Sequence, residues 1–158
     1  MHSTPTKLIV FTLDSVSFAV DVDHVQRVIP ACAITPFPET SIASAGFIRF
    51  DGAPIPVIDP ASLFRGKAPS RLGIASRFLL MRPRQQMLAL IADNVTGVWD
   101  MPVGSLTHEA ISAGFSRLRG IAAGLDDLVY IVDPERILTL DEEARIDAAL
   151  TGLAEPVA

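Results

Sequence analysis

The residues best equipped for chemistry are three histidines and one cysteine, and their settings argue against catalysis. His2 lies in the tail and His24 stands beside Val25. His108 precedes Glu109, but a zinc-protease helix needs a second histidine four residues after the first, and that position is Ser112. Cys32 lies between Ala31 and Ala33, a setting that favours a small buried hydrophobe over a nucleophile. A single thiol forms no disulfide within the chain and no site of several thiolates. There is no Gly-x-Ser-x-Gly elbow, phosphate loop or dinucleotide fingerprint, and the carboxylates are spread without pairing. The expectation is a non-catalytic chain with no cofactor and no metal. An enzyme whose site is assembled from distant residues stays as an alternative.

Composition narrows the field further. The 158 residues are 49% hydrophobic and 20% charged, enough apolar material for a packed core. Only 6% are aromatic, so aliphatic side chains must fill that core. The formal net charge of -5 argues against a nucleic-acid binder, which needs a basic stripe to replace condensed counterions. The arginines between Arg65 and Arg84 are interleaved with one aromatic, Phe78, and read as a solvated loop with flanking strand ends. No apolar run reaches the roughly 18–20 residues of a membrane span, so no direct membrane insertion is expected. Met1 to Lys7 has no apolar signal core behind it, which points to the cytoplasm.

The elements that would position any site are mostly strands. Leu8 to Leu13, a polar Asp14-Ser15 turn and the alternation of Phe18, Val20 and Val22 read as a hairpin. Val25 and Val28, three apart, fit a helical turn or a bent connection. Gly46 to Phe50 and Ala53 to Ile58 flank Asp51-Gly52, a hairpin signal because the turn needs positive φ at both positions. Gly66 to Gly73 is the best lobe boundary. Strand-like runs resume at Phe78 to Met81 and Met87 to Ala92, followed by Val95 and Val98 and a mixed segment from Met101 to Arg117. Leu118 to Leu125 and Leu128 to Val132 flank a third turn signal, Asp126-Asp127. Asp133-Pro134 has the form of a helix start. Thr139 and Glu142 fit a capping box for a helix from about Leu140 to Leu150.

The chain also repeats itself. Gly46 over Gly120 aligns Asp59-Pro60 with Asp133-Pro134 and Leu63 with Ile137. Val25 over Val95 aligns Asp23 with Asp93 and Val28 with Val98. The order of hairpin, Asp-x-Val-x-x-Val and glycine-led hairpin with Asp-Pro therefore occurs twice. It implies two β units of four or five short strands each, curled into barrels that hide their edges and lean on one another. A binder of this build would use apolar grooves and strand edges, with the cleft between the lobes as the natural place. Val25, Val28, Val95 and Val98 fit such a groove or simple core packing equally well. Trp99, next to Val98, fits a boundary, a core position or an interface anchor.

These segments resemble the CheW family of bacterial chemotaxis coupling proteins from Leu8 to about Leu150. The resemblance is carried by LIVFTLDSVSFAVDVDHVQRVI, GFIRFDGAPIPVIDP, LALIADNVTGV and RGIAAGLDDLVYIVDPERIL together. It implies a mainly β fold of two intertwined five-stranded, SH3-like barrels with a C-terminal helix. Lobe 1 would span about 8–65 and lobe 2 about 76–138, with strands exchanged between them. It also implies an adaptor joining the cytoplasmic tips of chemoreceptors to the regulatory domain of a CheA-type histidine kinase. Val25, Val28, Val95 and Val98 then become candidates for the receptor groove or its support, and Gly46 and Gly52 the hairpin glycines. Two positions depart from the family pattern. Glu is replaced by Arg27, and in Arg49-Phe50-Asp51-Gly52 the family's Arg is replaced by Asp51. If these side chains meet, an ion pair is kept with reversed polarity, and Arg27, Arg49 and Asp51 become candidates for partner choice. A coupling protein of another chemosensory pathway, such as surface motility, and a small-molecule-binding domain using the cleft are the alternatives.

Overall fold

A computed structural model describes residues 6–38, 44–65, 71–107, 117–124 and 127–154. His2, His108, Glu109, Asp126 and most of the proposed lobe boundary lie outside the described residues, as does part of the segment between Met101 and Arg117. β1 (Thr6–Leu13) and β2 (Val16–Asp21) form the first hairpin, turning at Asp14 and Ser15, both with positive φ. A single 3-10 turn, Val22–His24, leads into β3 (Val25–Pro30). β4 (Gly46–Phe50) and β5 (Ala53–Ile58) meet at Asp51 and Gly52, with φ of 52° and 80°, as the sequence requires of a tight hairpin. A short helix, α1 (Pro60–Arg65), follows. Next come β6 (Arg77–Met81), β7 (Leu88–Ala92), β8 (Asn94–Met101), the two-residue β9 (Leu106–Thr107), β10 (Leu118–Ala123) and β11 (Leu128–Val132). Helix α2 (Leu140–Ala154) closes the described chain.

The strands form two sheets, ordered β3-β6-β7-β5-β4 and β8-β1-β2-β11-β10-β9. Each closes on itself. Beyond β3 the chain runs on to Thr35, which pairs with Phe47 of β4 at the opposite edge through two backbone hydrogen bonds of 2.9 and 2.8 Å. Beyond β8 it runs on to β9, which pairs with β10. β9 is thus the bent continuation of β8, and the fold is two five-stranded barrels with a C-terminal helix. We call them the central barrel, built within residues 25–92, and the terminal barrel, built from 6–21 and 94–132.

The barrels are intertwined by the repeat. Each half gives its first two strands to one barrel and its later strands to the other, so that β1 pairs with β8 and β6 with β3. Even the irregularities repeat. Gln26 is an extra residue opposite Met81 and Leu80, and Thr96 is an extra residue opposite Phe11 and Val10. These β-bulges account for the spacing of three in Val25-x-x-Val28 and Val95-x-x-Val98, which imitates a helical turn in sequence. Phe11, Leu13, Phe18 and Val20 of the terminal barrel share one buried cluster with Phe78, Leu79, Leu90 and Ile91 of the central one. Each such side chain contributes about 1.5–3 kcal/mol by leaving water.

Two expectations need correction. Cys32 is exposed: in the irregular stretch after β3, Ala31 and Ile34 pack against the core and Cys32 points away. Asp133-Pro134 forms a turn, with the Asp133 carboxylate accepting from the Glu135 N–H at 3.0 Å, and no helix begins between this pair and Leu140. The first Asp-Pro pair does open a helix, α1, in which the Leu63 N–H donates to the Asp59 carbonyl.

Candidate functional site

The four valines occupy equivalent places on different barrels. Val25 and Val28 lie on β3, an edge strand of the central sheet, and Val95 and Val98 lie on β8, an edge strand of the terminal sheet. Val25 and Val95, which enter the two bulges, pack against the shared core. Val28 and Val98, which leave them, are 39% and 63% exposed. The repeat therefore gives each barrel one valine packed against the core and one exposed. Val98 lines a groove of about 330 Å³ on the terminal barrel with Val10, Gly97, Trp99 and Val129. Trp99 packs with Val10 and Leu106 against the small buried cluster of that barrel. Val28 lines neither this groove nor the larger one described below.

The second set of residues meets at the tip of the β4–β5 hairpin. Gly46 is buried at its base with φ of 139°. A Cβ there would stand 2.3 Å from the Thr35 carbonyl oxygen and 2.6 Å from Ile34 Cγ2, so glycine is what lets the central barrel close. Arg49 and Asp51 are exposed. The guanidinium of Arg27 lies 5.5 Å from the centre of the Phe50 ring, a cation–π contact. Among the described residues no ion pair joins Arg27 to Asp51; Arg27 covers the neighbouring ring instead.

Phe50 also borders a groove of about 700 Å³, formed with Pro54, Arg82, Met87 and Leu150 between the hairpin, the β6–β7 turn and α2. Phe50, Arg82 and Leu150 carry no motif that marks them, because they meet only after α2 folds back over β5 from far along the chain. Helix α2 is held there by two consecutive acids. Glu143 pairs with Arg84 of the β6–β7 turn, and Glu142 takes a bidentate pair from Arg117 beside β10, at 2.7 and 3.2 Å. Glu142 also closes the capping box, accepting the Thr139 N–H while its own N–H donates to Thr139 Oγ1. Partial burial pushes the Glu142 carboxyl up, but Arg117 and Thr139 outweigh it, and the net shift is below the ordinary 4.5.

Among the described residues no cluster of His, Cys, Asp and Glu could hold a metal ion, and no helix is long and apolar enough to cross a membrane. The arrangement offers surfaces for binding: exposed valines at two strand edges, and an arginine–aromatic corner beside a groove.

A family model described as the CheW-like domain matches residues 7–142. The solved structure of the scaffolding protein TtCheW from Thermoanaerobacter tengcongensis is similar, with a TM-score of 0.78 and 26% sequence identity over 89% of this chain and 92% of that one. No curated protein matches the sequence.

Proposed function

The chain belongs to the CheW-like domain family, and on that premise we propose that it is a non-catalytic cytoplasmic adaptor coupling chemoreceptor tips to a CheA-type histidine kinase. The observation that carries this reading is the family match across nearly all of the described fold. It is supported by the likeness to a protein named as a scaffold and by the exposed valines on both edge strands. The mechanism is positioning. Val28 and Val98 offer apolar contact to a receptor hairpin, with Val25 and Val95 fixing their strands against the core, and a separate barrel surface meets the kinase. Arg27, Arg49 and Asp51 select among partners, because a facing like charge penalises the wrong one.

A pull-down from the source organism tests the reading. Recovery of a CheA-type kinase together with a chemoreceptor is expected, and recovery of neither overturns it. The selective role has its own test. An Arg27→Glu/Asp51→Arg variant should exchange preference between the chain's own partners and those of a typical family member; equal binding by both proteins removes the role.

A further inference from the structure

Charge is divided between the barrels more sharply than the net -5 suggests. Residues 25–92 hold eight of the thirteen Lys and Arg and three of the eighteen Asp and Glu, a formal +5. The rest of the chain holds five and fifteen, a formal -10. The described acids of the central barrel do little to offset its arginines, since Asp59 is buried and Asp51 sits out on the hairpin turn. Three arginines neighbour Phe50, the residue before that turn. Arg27 covers Phe50, Arg49 precedes it in β4, and Arg82 borders the same groove. None of the three has an ion-pair partner among the described residues, and Arg82 uses an N–H on the Gln85 carbonyl. Outside the central barrel, four of the five described cations, Lys7, Arg117, Arg136 and Arg145, are paired within the chain.

We infer that the Arg27, Arg49 and Arg82 face of the central barrel docks a protein surface rich in carboxylates. The inference rests on the adaptor reading and names the chemistry of one of its partners. Arginine suits the task because its charge is permanent and its planar fork matches a carboxylate. A compact protein can cover this face alone. A DNA duplex or an anionic membrane extends further and meets the -10 remainder of the chain, whose repulsion reaches about 8–10 Å at ordinary salt. Asp51 refines the placement: the partner's carboxylates lie over the three arginines and avoid the hairpin turn.

The test immobilises the full chain and presents the kinase regulatory domain and the receptor tip separately, at about 50 and about 300 mM salt. For one of the two, association should slow by about tenfold with salt and by a similar factor in Arg27→Glu/Arg49→Glu/Arg82→Glu. Arg49→Glu alone, at an exposed site with no contact to lose, should carry part of the effect if the triple variant folds poorly. Arg119→Glu makes the same charge change on the terminal barrel and should alter binding by less than about twofold. Binding that ignores the central-barrel changes, or that falls equally with Arg119→Glu, overturns the inference and leaves the adaptor reading standing. If neither analyte binds the unaltered chain, the adaptor reading fails, and a glutamate-rich peptide titrated into isotope-labelled protein decides the inference. Amide shifts confined to Arg27, the Arg49–Asp51 corner and Arg82 support it; shifts elsewhere, or none, overturn it. Tighter binding to a DNA duplex or to phosphatidylserine vesicles, or self-association of the chain alone that salt abolishes, also overturns it.

Discussion

The central barrel is one uninterrupted stretch of chain, whereas the terminal barrel is sewn from both ends, and the two close by different means. In the central barrel the return of the chain at Thr35 presses directly on Gly46. In the terminal barrel the return is the two-residue β9, and the bidentate Arg117–Glu142 pair ties the start of β10 to α2. One topology thus rests on a steric fit in one place and on a polar clamp in the other. Two glycines with similar φ separate these causes. Gly46→Ala combines left-handed strain with a collision against backbone, and should cost about 3–5 kcal/mol or prevent folding. Gly97 on β8 has φ of 149° but nothing within 4 Å of a Cβ, so Gly97→Ala should cost only the strain, about 1–2 kcal/mol. Urea unfolding of both variants measures the gap. Equal losses would mean that the contact with Thr35 does not decide the closure.

Much of this comparison is legible in the sequence, and what is missing follows a pattern. Turns can be read because their chemistry is local: Asp51-Gly52 must take positive φ, and it does. The helix start at Thr139 is equally local, since both partners of the capping box lie three residues apart. The offsets of 70 and 74 reveal two similar units. Which barrel each strand joins cannot be read, because β1 could pair with either of two nearly equivalent third strands. The bulges at Gln26 and Thr96 hide for a related reason: one extra strand residue gives the same spacing of three as a helical turn. The corner of Arg27, Phe50 and Arg82 escapes notice because sheet closure and α2 assemble it from distant residues. Cys32 is exposed despite its alanine neighbours, because composition alone does not say which side of an irregular segment faces the core.

The polar clamps allow a second test of the contrast, with a smaller expected effect. Glu142 and Glu143 are consecutive but hold opposite barrels. The Arg117–Glu142 pair is bidentate and the more sheltered, with side chains 23% and 21% exposed against 41% and 26% for Arg84–Glu143, while each arginine also donates to one backbone carbonyl, Arg117 to Ile137 and Arg84 to Glu135. Arg117→Ala should therefore cost about 1.5–3 kcal/mol and Arg84→Ala about 0.5–1. Acidity gives the same contrast a sign. The Glu142 carboxyl is lower in the folded state than its ordinary 4.5, so its stabilisation is complete above that value and is lost as pH falls through the folded one. The stability gap between the unaltered protein and Glu142→Gln should narrow in acid unfolding below about pH 4.5. A gap independent of pH would mean that hydrogen bonding alone, without charge, secures the helix start.

The smallest expected effect concerns the corner of Arg27 and Phe50. Arg27 sits on an edge strand, covers Phe50 and is exposed. At such a site a cation–π contact contributes about 0.5–1 kcal/mol, so Arg27→Ala should lower stability by no more than that. Phe50→Leu keeps the apolar contact with the core while removing the aromatic face, and combining the two isolates the coupling as a double-mutant cycle. A coupling of about 0.5 kcal/mol would assign Arg27 a structural share in holding β3 beside β4. Parallel variants at Asp51 complete the argument. Asp51→Ala should leave the cycle unchanged, because the structure shows Arg27 engaged with the ring and not with the carboxylate. If Asp51→Ala abolishes the coupling, the two charges act on each other across the hairpin, and their role is a matter of stability before it is one of partner choice.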